Sequence, residues 1–314
     1  MTTYKEINGT NIEAVASDPS NPVDGQVWYN TTSNTVKAGF INPGSWATVN
    51  SMNTSRTQMG SAGIQTAALA FGGAPGVSAL TESYNGTNWT EVNDLNLSRT
   101  ELTGCGANNT AALAIGGDVG GSLKNETETW NGTNWTEGNN LNSARKYLES
   151  AGITTSALAF GGETAVDVRN LTELYNGTNW TEVNDLNNAR RLFGGSGVSN
   201  TAALAFGGQP GAQAKTETWN GTNWTEVNDF NTPRSTGVRG TGTNTATLAF
   251  GGAPAPLTGA LTENWNGTNW TEVNDLNSAR DAIGSAGTNT AALAFGGEGG
   301  TPPITAATEE WNVG

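Results

Sequence analysis

The chain has 314 residues, enough for one large domain or two ordinary ones. Its net charge of −14 excludes a polyanion binder relying on Lys and Arg, and docking on an anionic membrane surface. It has no His and one Cys, which excludes a Ser-His-Asp triad, the common His zinc sites and an internal disulfide framework.

Residues 1–25 are polar and punctuated by Pro19 and Pro22, the pattern of an extended arm. The opening Met1-Thr2-Thr3-Tyr4-Lys5 has no cationic and then apolar leader, so no secretory signal is expected. No apolar run approaches the length of a membrane helix. Two short β-forming runs, 26–29 and 35–38, flank the polar stretch 30–34 and predict a hairpin. Trp28 and Tyr29 lie there, outside the repeats that follow, and are candidates for docking a partner. Residues 1–43 are therefore read as an arm with a hairpin, and 44–314 as the main domain.

From Ser45 the chain becomes periodic. Asn-Gly-Thr-Asn-Trp-Thr-Glu occurs word for word from Asn85, Asn131, Asn176, Asn220 and Asn266. A repeat of about 45 residues with this content is the mark of a propeller blade. Each unit reads as four strands. A Gly/Ser/Ala-rich strand such as 283–287 is followed by an alternating strand such as 291–295, which ends at a Gly pair. A loop of differing length leads to a Thr-Glu-X-aromatic strand, and Asn-Gly turns it into the Trp-Thr-Glu strand. Asn-Gly between two β-forming runs is the strongest short hairpin signal, because both central turn residues need positive φ. The Gly-rich strand suits the innermost position, where sheets converge and large side chains have no room. The first repeat begins with the Trp46 strand alone and the last ends at Glu309-Glu310-Trp311-Asn312 with no successor, so strand 45–50 and that segment complement each other. Cys105 sits in a Gly-rich strand and is read as a buried, inert thiol.

Gly pairs at 72–73, 116–117, 161–162, 207–208, 251–252 and 296–297 alternate with Arg56, Arg99, Arg145, Arg190, Arg234 and Arg280. With the spaced aromatics they resemble the Kelch repeat. That resemblance covers 44–314 and implies an all-β, six-bladed Kelch-like β-propeller of four-stranded blades, closed by strand 45–50 in the C-terminal blade. The repeated Trp and Tyr residues are expected to be interblade core.

The connections after the Gly pairs vary in length and sequence, whereas the Asn-Gly-Thr-Asn turns scarcely change. Diverse loops on a rigid scaffold present binding specificity, so the variable face is the expected binding face. Two readings stand for the six arginines: a cationic ring at the channel mouth that binds carboxylate or acidic-glycan groups, or ties between neighbouring blades. Glu101, Lys146, Glu149, Arg191, Arg239 and Asp281 break the repeat pattern, either tuning the channel or simply solvated. The repeated acids, such as Glu91 and Asp94, read as a solvated rim, with no spacing suited to a metal.

Residues 24–36 resemble a short module of bacteriophage tail and fibre proteins that precedes a Gly-Ser-Trp, present here as Gly44-Ser45-Trp46. The resemblance implies a non-enzymatic virion protein, made in a host cytoplasm, that recognises a host surface or another virion protein. The alternative is a cellular Kelch-type interaction scaffold. No catalytic residue, cofactor, metal, nucleic acid or membrane insertion is expected; a homo-oligomer is open.

Overall fold

The computed structural model describes residues 12–19, 26–38, 44–252, 259–299 and 303–313. Most of the expected arm and the variable connections 253–256 and 300–302 lie outside them. The chain divides into two compact units, 1–43 and 44–313, with Gly314 grouped with the first.

In the smaller unit Val27–Asn30 pairs antiparallel with Thr35–Ala38, the hairpin expected from sequence. Its other edge pairs in parallel with Glu13–Val15, a strand that the polar sequence of the arm did not announce. Asp18 organises one side of this sheet. Its Oδ1 accepts from Trp28 Nε1 at 2.9 Å and Asn30 Nδ2 at 2.7 Å, and its Oδ2 accepts from Lys37 Nζ at 2.6 Å. The Lys37 bond, then those of Asn30 and Trp28, draw the Asp18 pKa down to about 2. Trp28 is only 5% exposed, and Tyr29 is half-buried with its hydroxyl on Asn34 Oδ1. The Trp28 indole, expected to dock a partner, is buried in this sheet with its N–H engaged by Asp18.

The larger unit is all-β, with six four-stranded antiparallel sheets among the described residues and an organisation of the β-propeller kind. Five sheets are consecutive in sequence: 60–92, 103–137, 149–182, 194–227 and 239–272. The sixth takes three strands from 284–312, and its fourth is Ser45–Val49, paired antiparallel to Thr308–Asn312 with Trp311 opposite Trp46. In every sheet the Gly-rich strand lies at one edge, and it neighbours the Gly-rich strands of the sheets before and after it. Those of the sixth and first sheets, Gly284–Gly287 and Gly60–Ile64, are neighbours too.

The core lies between sheets. Phe71 of the first sheet meets Trp135 of the second at 4.9 Å between ring centroids, and Phe206 of the fourth meets Trp270 of the fifth at 5.0 Å. Each Trp of an outer strand also donates its Nε1–H to a buried Thr of the preceding sheet. The six pairs are Trp46–Thr262, Trp89–Thr308, Trp135–Thr81, Trp180–Thr127, Trp224–Thr172 and Trp270–Thr216, at 3.0–3.1 Å. A buried indole needs such an acceptor, so the Trp supplies both apolar area and an address on its neighbour. The Gly pairs are required by backbone approach: a Cβ on Gly72, at φ +67, would sit 2.7 Å from the Arg99 carbonyl oxygen.

Candidate functional site

The structure places the six arginines inside the protein rather than at an open mouth, each 0–1% exposed. Arg190 is representative. Its Nη1 donates to Gly207 O at 3.2 Å and Lys215 O at 2.9 Å, and its Nη2 to Glu217 Oε1 at 2.6 Å. Arg56, Arg99, Arg145, Arg234 and Arg280 make the same set with the first Gly of the following pair and with Glu82, Glu128, Glu173, Glu263 and Glu309. Each Glu completes the tie by accepting a backbone N–H from the incoming connection, as Glu217 Oε2 does from Asn187 at 2.7 Å. Burial pushes every one of these guanidinium pKa values down, while the paired Glu pulls it back up. Both terminal nitrogens of each are committed within the protein, and the side chains are buried. Each ties its connection to the single sheet that follows, rather than one sheet to the next. The Glu partners went unnoticed in the sequence, although one stands in every Thr-Glu-X-aromatic strand.

Beyond each Arg the connection passes through one residue in a left-handed conformation, two residues on in five connections and three residues on after Arg234. Gln58, Glu101, Tyr147, Leu192 and Ala282 have φ between 48° and 59°, and Gly237 has 50°. Their backbones form a closed circle. Gln58 N donates to Ala282 O, Glu101 to Gln58, Tyr147 to Glu101, Leu192 to Tyr147, Gly237 to Leu192 and Ala282 to Gly237, at 2.9–3.3 Å.

Around this circle two positions per sheet change freely. In the five sheets where both are described, the residue after the Arg bridges to the residue after the Gly pair: Thr57 with Ala74, Thr100 with Asp118, Lys146 with Glu163, Arg191 with Gln209 and Asp281 with Glu298. Backbone pairing holds these residues in place whatever their side chains, which leaves the side chains free to vary. The pattern-breaking charges meet here. Lys146 Nζ pairs with Glu101 Oε2 at 2.8 Å, and Tyr147 donates its hydroxyl to Glu101 Oε1 at 2.6 Å. Arg191 pairs with Glu163. One layer deeper Glu149 and Arg239, from the third and fifth sheets, reach past the fourth to pair with each other. Burial lowers the Arg239 pKa to about 10. Simple solvation, one of the two readings of these charges, does not describe them: most are paired and half-buried.

Asp281 differs, because its neighbour across the bridge is another acid. It is 9% exposed, and its pKa is raised to about 6, by burial first and then by the Glu298 charge. A folded-state pKa above the ordinary 3.8 means the folded protein binds the proton more tightly, so stability present at low pH is lost as pH rises through about 6. Asp281→Asn is therefore expected to raise the melting temperature at pH 8 and to leave it unchanged at pH 4, as checked by melts across that range.

Cys105 lies buried, and burial pushes its thiol pKa up to about 12. A thiolate reagent is expected to leave it unmodified in the native protein and to label it fully in denaturant, read by intact mass. Among the described residues, no group of three or more Cys, Asp and Glu side chains converges as metal ligands would. No family model matches this chain, and no curated protein matches it.

Proposed function

We propose that the larger unit is a six-bladed Kelch-like propeller, its last blade completed by strand Ser45–Val49, serving as a non-enzymatic binding protein of a virus particle. The circle of six backbone hydrogen bonds and the Trp–Thr bonds from each sheet to the one before support the blade count and its closure. The observation that carries a binding role is the variable face. Its residues are held by backbone bridges on a repeated frame, yet the bridged pairs run from Thr57–Ala74 through Lys146–Glu163 to Asp281–Glu298. A rigid frame with free side-chain choice is how binding surfaces are diversified. The partner on this reading is a host-surface molecule or a second virion protein. The assignment to a particle rests on the likeness of residues 24–36 to tail-protein modules.

Mass spectrometry of purified particles from the source tests the assignment: the chain is expected among the structural proteins, and its absence overturns the reading. For the face itself, Asp118→Ala with Gln209→Ala is expected to weaken particle attachment or incorporation. Unchanged attachment and incorporation by the folded variant would move the binding role elsewhere.

A further inference from the structure

The Asn-Gly-Thr-Asn turns pair a structural requirement with a chemical liability. Gly86, Gly132, Gly177, Gly221 and Gly267 all adopt φ between 88° and 92°, a conformation open to Gly and strained for other residues. The same lack of a side chain leaves the Gly nitrogen unhindered beside the Asn carboxamide, and Asn is among the chemically labile residues. In deamidation the Gly nitrogen attacks the Asn Cγ, a C–N bond forms and the Cγ–Nδ2 bond breaks. Nδ2 leaves as ammonia, with the proton that the Gly nitrogen gives up. Water then opens the five-membered imide at either carbonyl. One opening leaves Asp, and the other leaves isoaspartate, which has an extra methylene in the main chain. No oxidant or reductant is involved.

Each turn restrains the groups that must move. Oδ1 of Asn85, Asn131, Asn176, Asn220 and Asn266 accepts from the backbone N–H groups two and three residues on, at 2.8–3.0 Å in all five. The backbone N–H of the same Asn donates to the carbonyl of the second Asn at 3.2–3.3 Å, which closes the turn. Next to it the aromatic residue faces the Trp of the following strand, as Tyr84 faces Trp89 with 5.1 Å between ring centroids. Imide formation needs the carboxamide to swing onto the Gly nitrogen and the intervening peptide to rotate. That swing gives up both bonds at Oδ1.

We propose that these five Asn are latent modification sites, silenced by the folded turn and open to deamidation when the turn is lost. Two hydrogen bonds forfeited on the way to the imide make the native rate at least about tenfold lower. The two products differ in consequence. Asp keeps an oxygen in the place of Oδ1 and accepts the same two N–H groups. Isoaspartate lengthens the main chain within a four-residue turn, which displaces pairings such as Trp219 with Trp224 from register. Each event also adds a negative charge to a chain already at −14. Modification thus marks chains that stay unfolded, and the mark obstructs their later folding. The second Asn of each turn is not such a site. It precedes a Trp, whose bulk hinders the attacking nitrogen, and its Oδ1 accepts from an Asn Nδ2 of another connection at 2.7–2.9 Å. The protection is set within each turn and is independent of any binding role.

Incubation of the full chain at mildly alkaline pH, native and in denaturant, followed by peptide mapping for Asp and isoaspartate, tests this. A free peptide Trp-Asn-Gly-Thr-Asn-Trp in both solutions is the reference for solvent effects. The five Asn are expected to convert at the peptide's rate in denaturant and at least about tenfold more slowly in the native protein. Asn88, Asn134, Asn179, Asn223 and Asn269 are expected to stay intact in both. Mapping separates all of these from Asn8-Gly9, which lies outside the described residues. Native conversion of the five at the peptide's rate overturns the proposal. So does a denatured chain as resistant as the native one.

Discussion

Arg190→Ala is expected to lower the unfolding free energy by about 3–5 kcal/mol, the cost of breaking a buried ion pair by removing one partner. The substitution strands three acceptors at once: Gly207 O, Lys215 O and the Glu217 carboxylate, itself 0% exposed. Glu217→Gln is expected to cost a similar amount, about 3–5 kcal/mol, since it leaves the buried Arg190 cation unpaired and turns an amide NH2 towards a donor that the carboxylate had accepted. Urea titrations of the two variants against the parent check both values. Arg190→Ala with parental stability would show that the tie adds nothing, and would favour a ligand role for the arginines. Against a total stability of about 5–15 kcal/mol, one such tie is a large share.

Trp224→Ala is expected to cost a similar amount, about 3–5 kcal/mol, by leaving a cavity between two sheets. Its ring centroid lies 5.0 Å from Phe160 of the preceding sheet and 5.5 Å from Trp219 of its own. Trp224→Phe keeps much of that packing but abandons the Thr172 hydroxyl, which accepts the indole N–H at 3.0 Å in a buried setting. That variant is expected to lose about 1–2 kcal/mol. Because Trp270 stands in the same relation to Phe206 and Thr216, its two variants should reproduce both values within error in the same denaturation assay. A large disparity between the two sites would mean that the sheets are not equivalent in energy.

How much of this was legible in the sequence follows from what kind of signal each feature leaves. The Asn-Gly turns, the Gly pairs and the Gly-rich edge strands announce themselves, because backbone geometry restricts those positions to one or two residue types. The complementary strands at Trp46 and Trp311 were visible from register alone. The arginine ties were half visible. One Arg per repeat is conspicuous, but its Glu lies between polar and aromatic residues in an alternating strand, where a charged residue ordinarily faces water. The circle around Gln58, Glu101, Tyr147, Leu192, Gly237 and Ala282 left no trace, since it is made of backbone and its members share no chemistry. The Glu149–Arg239 pair joins residues 90 positions apart, which no local pattern reveals.

The make-up of the sixth sheet has a consequence for how the protein comes into being. Ser45–Val49 leads the larger unit in chain order, and its partner Thr308–Asn312 closes it. During synthesis, then, Trp46 emerges early but must wait for nearly the whole unit before Phe250 and Trp311 arrive to cover its ring. The intervening sheets can each form from contiguous chain as they appear, whereas this pairing carries the loop-closure cost of the entire repeat array. Completion of this sheet is thus tied to the synthesis of Thr308–Asn312, and a chain truncated before Thr308 would retain an unmated strand with an uncovered indole.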